Sequence, residues 1–171
     1  MRIKLNDIDN HNMELLEFIK EKVEENFKLG CIIGRLNLNL DFAYIEERNQ
    51  YFSTPILNYL SKIENHDIKK IIWITEKDLF VPGLNFIFGQ AEIGGKNGII
   101  STFRLKCKEK RLYYERCAKE VNHELGHTFG LSHCKDPKCV MFFSNSLIDT
   151  DFKSYRFCAD CQKKYERTLS E

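Results

Sequence analysis

The sequence predicts a single α/β domain in which a mixed, twisted β-sheet is flanked by helices and followed by a cysteine-rich C-terminal part. Three observations support this fold class. Strand and helix patterns alternate along the first half of the chain, a helix pattern that carries histidines follows them, and residues 131–171 combine few periodic apolar side chains with four clustered cysteines. A chain of 171 residues, 43% of them hydrophobic, is long enough to bury a sizeable core.

The first part of the chain predicts the order strand, helix, strand. Residues 2–8 and residues 31–40 alternate apolar and polar side chains, which is the period of a half-buried strand. Between them, apolar residues recur at helical spacing over 13–28. Asn12 is the expected N-cap of this helix, and Gly30 is the expected glycine that follows its C-terminus.

The next part predicts a second helix and three further strands. Thr54 is the expected cap of the helix, and Pro55 falls in its first turn. Residues 70–75 form a continuous apolar run, which is typical of a strand buried on both faces. Residues 85–91 and 99–105 are the other two strands. The apolar face of the helix consists of Ile56, Leu57, Leu60 and Ile63.

Charge and hydropathy exclude several classes of partner. The net charge of +1 is far from the strongly basic balance of a nucleic-acid binder, so the basic run at residues 106–111 is expected to be a solvated strand end. No run approaches the roughly 18 apolar residues of a membrane span. The N-terminal residues lack the apolar core of a secretory signal, so we expect a cytoplasmic protein. A monomer is the default expectation for its oligomeric state.

The strongest motif is the stretch HELGHTFGLSH, which begins at His123. His123 and His127 are four residues apart and would lie on one face of a helix, where both can bind the same metal ion. Glu124 is rotated by about 100° from His123 and could reach a water on that metal. Gly130 can end the helix and allow His133 to return as a third nitrogen ligand. Three imidazoles leave the fourth position of Zn²⁺ open, as in catalytic sites.

The helix around this motif has two predicted faces. Its apolar stripe would pack on the sheet and consists of Tyr114, Ala118, Val121, Leu125, Thr128 and Phe129. The two histidines continue a polar stripe through Arg116 and Glu120 on the opposite side, so they are expected to face a cleft. The alternative is a solvated polar face that carries a histidine pair by chance.

Four cysteines follow the motif directly. Cys134 and Cys139 have the spacing C-x4-C, and Cys158 and Cys161 have the spacing C-x2-C, so together they could supply four thiolates to a structural zinc. Metal binding would then stabilise a C-terminal subdomain over 131–171, next to a sheet-and-helix subdomain over 1–130. Disulfides and free thiols are the two alternatives. The prediction therefore comprises two zinc ions per chain, one catalytic and one structural.

The remaining cysteines and histidines lack a metal-ligand spacing. Cys31 and Cys117 are expected to be small core residues, and Cys107 lies in the charged run at the end of a predicted strand. His11 and His66 stand in polar surroundings and are expected at the surface.

The motif HExxHxxGxxH, followed at once by C-x4-C-x-M and then C-x-x-C, resembles the archaemetzincins, a branch of the metzincin zinc peptidases. The resemblance implies a metzincin-like fold and identifies Met141 as the Met-turn methionine, an apolar base beneath the metal-bound imidazoles. It also implies that an edge strand, here residues 85–91, pairs with an extended peptide substrate. Phe86 and Phe88 could be substrate contacts or plain core residues.

These observations predict a zinc metallopeptidase, a hydrolase that cleaves peptide bonds through a zinc-bound water. Glu124 would take a proton from this water as the general base and pass it to the departing amine. The predicted partners are a peptide or protein substrate, and neither nucleic acid nor a membrane. The alternatives are a non-catalytic zinc-stabilised binding module and an enzyme that hydrolyses another amide. The sequence leaves end-trimming and internal cleavage open.

Overall fold

The computed structural model describes residues 2–170 as a mixed five-stranded sheet with helices on both faces. Its strands are β1 (Arg2–Asp7), β2 (Gly30–Arg35), β5 (Lys70–Thr75), β7 (Gly89–Ala91) and β8 (Asn97–Ser101). They lie in the order β2-β1-β5-β8-β7, in which the first four are parallel and β7 runs antiparallel along the edge of β8. The predicted fold class is therefore confirmed.

A small second sheet and five α-helices complete the fold. The second sheet contains β3 (Tyr44–Ile45), β4 (Gln50–Phe52) and β6 (Leu79–Phe80). The helices are α1 (Met13–Phe27), α2 (Ser53–Leu60), α3 (Lys110–Thr128), α4 (Leu147–Phe152) and α5 (Ala159–Ser170). No helix within residues 2–170 is both long enough and apolar enough to cross a membrane.

Two apolar cores cover the two faces of the main sheet. Ile72 and Ile74 of β5 face the larger core, which also contains apolar residues of α1, α3 and α5. Ile71 and Trp73, which alternate with them, face a smaller core against α2. All six residues of β5 are buried, because each face of the strand has its own layer of packing. The continuous apolar run in the sequence therefore predicted this strand correctly.

The C-terminal helix packs against the end of α1 through an aromatic cluster. The ring of Phe27 contacts the rings of Phe129, Phe157 and Tyr165, with centroids 5.1–5.5 Å apart. The hydroxyl of Tyr165 also donates a hydrogen bond to the carbonyl of Phe27, at 2.7 Å. This cluster joins α5 to α1 and to the residue that follows α3.

Two of the predicted helix boundaries are wrong. Asn12 does cap α1, since its side chain accepts a hydrogen bond from the amide of Leu15 at 2.8 Å. However, the left-handed residue at the end of α1 is Lys28, with φ 54°, and Gly30 already pairs with Arg2 as the first residue of β2. Helix α2 begins at Ser53, so Thr54 lies inside its first turn and is not the cap.

Three predicted strands are shorter than expected. Strand β2 ends at Arg35 because its partner β1 ends at Asp7, whose carbonyl accepts the amide of Leu36. Only 89–91 of the predicted strand 85–91 pairs with β8. Strand β8 begins at Asn97 and ends at Ser101, and a 3₁₀ turn follows it.

The segment before β7 is held by two side chains, one from β4 of the small sheet and one from the turn that precedes it. Arg48 donates hydrogen bonds to the carbonyls of Leu84 and Asn85, at 2.9 and 3.1 Å. Gln50 donates a second hydrogen bond to the carbonyl of Asn85, at 2.9 Å. Because these carbonyls bond to side chains, they do not join the sheet ladder, and the segment lines a cavity beside β7.

Candidate active site

The last two turns of α3 carry two histidines whose rings are fixed by carbonyl groups. The Nδ1 atom of His123 is 2.8 Å from the carbonyl oxygen of Val140, and Nδ1 of His127 is 2.7 Å from that of Leu131. Each Nδ1 therefore carries the proton and donates it to the carbonyl, which leaves Nε2 as a free acceptor. The two Nε2 atoms face each other at 3.1 Å.

His133 joins this pair after the chain reverses at Gly130. Gly130 has φ 88°, a left-handed conformation that glycine adopts without steric cost, and it ends the helix as predicted. The ring centroid of His133 lies 4.8 Å from that of His127 and 5.3 Å from that of His123. One ring nitrogen from each histidine lies within 4.8 Å of the other two. The fold thus brings together the three histidines that the motif singled out.

The three imidazoles fit a zinc ion. Tetrahedral coordination with Zn–N bonds of 2.0–2.1 Å separates two ligand nitrogens by roughly 3.3 Å, close to the 3.1 Å between His123 and His127. Burial lowers the pKa of all three histidines. A lowered pKa keeps an imidazole neutral, and the neutral ring is the form that binds a metal.

Glu124 lies beside the histidines and is buried. Burial raises the pKa of its carboxyl group well above the usual value; the nearby carboxylate of Glu120 raises it further, and the ammonium of Lys153 opposes both effects. Glu124 and His123 line a cavity of about 200 Å³ that extends to residues 143–145. A carboxyl group whose pKa is raised by burial, beside three converging imidazoles, is suited to accept a proton and to release it later.

Strand β7 runs next to Glu124. A Cβ atom built on Gly89 would lie 2.7 Å from both Cγ and Oε1 of Glu124. The side chain of Glu124 can therefore lie this close to the backbone of β7 only because position 89 has no side chain. No local pattern in the sequence marks Gly89, because its contact with Glu124 joins residues 35 positions apart.

The polar stripe predicted on α3 is not solvated. Arg116 and Glu120 are both buried, at 7% and 3% exposure, because residues 150–153 cover them. Arg116 forms a bidentate pair with Asp151, at 2.6 and 2.7 Å. Glu120 Oε1 pairs with the ammonium of Lys153 at 3.1 Å. Lys153 itself has no exposed side-chain surface and was not singled out in the sequence.

The C-terminal end of α3 is tied to the hairpin that joins β7 and β8. The amide of Gly94 donates to the carbonyl of His127, at 2.9 Å. The buried ammonium of Lys70 donates to the carbonyls of Gly95, at 2.7 Å, and Thr128, at 2.5 Å. These bonds fix the position of the hairpin relative to the histidines.

Met141 lies beneath the same turns of α3. It is fully buried, and a Cβ atom built on Gly126 would lie 3.1 Å from its Cε and closer still to its Sδ. The carbonyl of Met141 accepts a hydrogen bond from the amide of Cys134 at 2.9 Å. The methionine therefore connects the histidine helix with the cysteine-rich segment.

The four predicted cysteine ligands also form one cluster. Their sulfur atoms lie within 4.8 Å of one another, and Sγ of Cys134 is 3.8 Å from Sγ of Cys158. A disulfide would need about 2.05 Å, whereas two thiolates on one zinc, with Zn–S bonds near 2.3 Å, are roughly 3.8 Å apart. Backbone amides donate hydrogen bonds to two of the sulfurs. The amide of Asp136 donates to Sγ of Cys134, and the amides of Met141 and Cys158 both donate to Sγ of Cys139. The cluster fits a closed tetrahedral site.

Of the other cysteines and histidines, one was predicted wrongly. Cys31 and Cys117 are buried and Cys107 is exposed, as expected. His66 is exposed, but His11 is buried at 5% exposure. His11 lies between the carboxylate of Asp7, at 2.7 Å, and the hydroxyl of Thr102, at 2.9 Å. The polar neighbours of His11 in the sequence predicted an exposed side chain. Its partner Thr102 is 91 residues away in the chain, so the local sequence gave no sign of the contact.

Comparisons with known proteins point to one family. The family model described as peptidase family M54 matches residues 5–167. The archaemetzincin of Methanocaldococcus jannaschii is 40% identical over 172 residues, which cover 97% of this chain and 93% of that protein. The crystal structure of the archaemetzincin from Methanopyrus kandleri is similar with a TM-score of 0.91 at 36% identity, and covers 100% of this chain and 96% of that one. The crystal structure of a zinc-dependent peptidase from Methanocorpusculum labreanum is similar with a TM-score of 0.84 at 26% identity. The match covers 95% of this chain and 99% of that one.

Proposed function

The chain belongs to peptidase family M54, the archaemetzincins, and we propose that it hydrolyses peptide bonds with zinc held by His123, His127 and His133. Membership of this family makes it a zinc metallopeptidase that acts on peptide or protein substrates. The observation that carries the assignment of residues is the convergence of three neutral imidazoles next to a buried carboxyl group at the edge of a cavity.

Glu124 is the general base in this proposal. Zinc, when bound, acts as a Lewis acid on the scissile carbonyl and lowers the pKa of a bound water. The carboxylate of Glu124 takes the proton of the attacking water at one of its oxygens and later delivers it to the nitrogen of the departing amine. Because burial raises the pKa of Glu124, the protonated form between these two steps is less costly than it would be for a solvent-exposed glutamate.

Strand β7 is the proposed binding edge for the substrate backbone. It is the last strand of the sheet, it pairs with a neighbour only on the β8 side, and Gly89 in it adjoins Glu124. An extended peptide that adds to this edge would pass between β7 and the histidines. The binding energy would come from main-chain groups, so the edge itself would not select particular side chains.

A second zinc is proposed for Cys134, Cys139, Cys158 and Cys161. The support is the separation of 3.8 Å between two of the sulfurs and the amide groups that donate to the cluster. This zinc would hold residues 131–171 as the C-terminal subdomain of a single domain, next to residues 1–130. It would thereby fix Met141 and His133, which lie on the same segment.

The test compares wild type with Glu124→Gln, both loaded with zinc, on a panel of unrelated peptides. Gln keeps the shape of Glu but does not accept a proton, so turnover should fall by about 10²–10⁴-fold. The zinc content per chain should stay the same, and a chelator should abolish wild-type cleavage. Turnover near the wild-type rate in the zinc-loaded variant would refute the role of Glu124. An inactive wild type with two zinc ions would favour the non-catalytic binding module.

A further inference from the structure

We propose that Lys153 is a positioning residue of the active site, because its ammonium joins the helix that carries His123 to the orienting segment, residues 140–143, which fixes the rings of His123 and His133. The proposal rests on the proposed zinc peptidase function, since it concerns the imidazoles that would hold the zinc. It goes further in that it assigns a role to a lysine that does not line the cavity beside Glu124.

The orienting segment contacts two of the three imidazoles. Nδ1 of His123 donates to the carbonyl of Val140, at 2.8 Å. The ring of Phe143 lies against that of His133, with centroids 5.0 Å apart. Met141, between these two residues of the segment, is fully buried beneath α3. A shift of the orienting segment would therefore turn both rings away from the positions that a shared metal ion requires.

The ammonium of Lys153 attaches the orienting segment to α3. It donates to the carbonyl of Phe142, at 3.3 Å, and pairs with Oε1 of Glu120, at 3.1 Å. Glu120 precedes His123 by three residues and Glu124 by four, so it lies one turn before them on the same face of the helix. One nitrogen with three donors thus bridges the two elements that fix the histidine rings.

The burial of this ion pair indicates a role other than packing. The side chain of Lys153 has no exposed surface, and that of Glu120 is 4% exposed. The desolvation of two such charges offsets much of their attraction, and an apolar pair of similar volume is often as stable or more stable. Stability alone therefore gives little reason for a lysine at this position. The bond to a carbonyl group does, because no apolar side chain donates to one.

The two charges of the pair compensate each other next to a cation site. An unpaired ammonium would repel Zn²⁺ held by the histidines, whereas the pair of Lys153 and Glu120 has no net charge. The hydroxyl of Thr150 also donates to Oε1 of Glu120, at 3.2 Å, and keeps the carboxylate in place. Both charges must therefore be removed together, so that the position of the orienting segment is tested without a change of net charge beside the histidines.

A second ion pair on α3 provides a matched control. Arg116 binds Asp151 through two hydrogen bonds, at 2.6 and 2.7 Å, and so attaches α4 to α3. Arg116 precedes His123 by seven residues, or about two turns of the helix. Its guanidinium group donates to Asp151 and to the carbonyl of Leu105, and neither of these belongs to the orienting segment. Loss of this pair should weaken the attachment of α4 without displacing the histidine rings.

The experiment compares Glu120→Gln/Lys153→Met with Arg116→Met/Asp151→Asn and with wild type. Each double variant removes one positive and one negative charge. We expect the zinc affinity of the histidine site, measured by competition with a chelator, to fall by about 10–100-fold in the first variant and to stay at the wild-type value in the second. With saturating zinc, kcat of the first variant should fall by about 10²-fold. Protection of the four clustered thiols shows that the zinc lost to the chelator comes from the histidines.

A second variant guards against misfolding. Glu120→Leu/Lys153→Met replaces the pair by apolar side chains, an exchange that often preserves the stability of a fold. Urea unfolding of all variants identifies those that are as stable as wild type. If Lys153 only stabilised the fold, a variant of wild-type stability would regain wild-type zinc affinity. A positioning role predicts that the loss of affinity persists in that variant.

The outcomes separate this proposal from the proposed function. Wild-type zinc affinity and kcat in both folded variants of Glu120 and Lys153 would overturn the role of Lys153 and leave the peptidase function standing. An equal loss in Arg116→Met/Asp151→Asn would also overturn it, because any weakening between α4 and α3 would then be sufficient. Absence of cleavage of every peptide by zinc-loaded wild type would refute the proposed function, while the zinc affinities would still decide the role of Lys153.

Discussion

Gly89 on the edge strand lies so close to Glu124 that a methyl group at position 89 would be 2.7 Å from the carboxylate oxygen Oε1. The carbonyl of Ile99 would be 2.8 Å away on another side, so the methyl group has no free space. We expect Gly89→Ala to displace the carboxylate of Glu124 and to lower kcat/KM by about 10²-fold, with zinc content unchanged. Steady-state kinetics and metal analysis on the same sample check this.

Gly30 provides a matched control for that substitution. It lies in the same sheet, has no positive φ, and a Cβ atom built on it would meet nothing within 4 Å. Gly30→Ala should therefore keep wild-type kinetics. Wild-type turnover in Gly89→Ala would show that the carboxylate of Glu124 can move without loss of activity, or that Glu124 does not act as the base.

The two metal sites should respond differently to the loss of a ligand. His133→Ala removes one of three imidazoles, and His133 is the most exposed of them. We expect this variant to lose the catalytic zinc and to keep the structural one, with four thiols protected. Cys161→Ser should lose the structural zinc and weaken the catalytic one as well, because Cys134 and His133 are adjacent and the amide of Cys134 bonds to Met141.

Zinc per chain by mass spectrometry, together with thiol titration before and after chelation, distinguishes these cases. A His133→Ala protein that has lost both metals would mean that the histidine segment is needed for the cysteine cluster to form. A Cys161→Ser protein with an intact catalytic zinc would show that the two sites are mechanically independent. Either result would contradict the expectation that loss of the structural zinc weakens the catalytic site, whereas loss of the catalytic zinc leaves the structural site intact.

The sequence predicted the candidate site better than it predicted the surroundings of that site. The histidine and cysteine motifs are local, and helix geometry and the reversal at Gly130 are sufficient to bring His123, His127 and His133 together. Strand β5 was equally clear, because burial on both faces leaves an uninterrupted apolar run.

Several features escaped the sequence because burial and hydrogen bonding are decided by partners that are distant in the chain. The ion pair between Glu120 and the buried Lys153 could not be foreseen, because the two residues are 33 positions apart. His11 appeared to be exposed because Thr102 comes from a different strand end. Residues 85–88 alternate like a strand, yet the carbonyl of Asn85 accepts hydrogen bonds from the side chains of Arg48 and Gln50 and not from a neighbouring strand. No local period encodes such contacts.

Lys70 is expected to stabilise the fold through the two carbonyl groups that its ammonium binds. Lys70→Met keeps the length of the side chain but leaves the carbonyls of Gly95 and Thr128 without their donor. We expect a loss of about 2 kcal/mol in the free energy of unfolding, because hydrogen bonds to a charged group contribute more than neutral ones. Urea unfolding of the zinc-loaded protein measures it.

The neighbouring Lys69 is exposed and supplies the control, since Lys69→Met removes the same charge without removing a buried hydrogen bond. It should change the stability by less than about 0.5 kcal/mol. Equal effects of the two substitutions would mean that net charge, and not the two buried hydrogen bonds, is responsible.

The stability of the metal-free protein should depend on pH through the three histidines. Burial lowers the pKa of His123, His127 and His133 in the folded chain, and unfolding returns each of them to about 6.5. Between the lowered values and 6.5, the unfolded chain therefore binds more protons than the folded chain. Stability rises with pH across this interval and falls as the pH drops below 6.5, by up to about 1.4 kcal/mol per pH unit for each of the buried His123 and His127, and by less for His133, which is exposed to solvent.

Urea unfolding in chelator and reducing agent, at several pH values from 7.5 to 5, tests this dependence. His127→Gln removes one of the buried titrating groups and should reduce the slope, while His66→Gln controls for the loss of a histidine at an exposed position. Saturating zinc should make the dependence steeper, because the bound metal requires all three imidazoles to be deprotonated. A stability that stays constant between pH 7 and 5 in the metal-free protein would mean that the histidines are hydrated once the metal is removed, and that zinc is required to assemble the buried site.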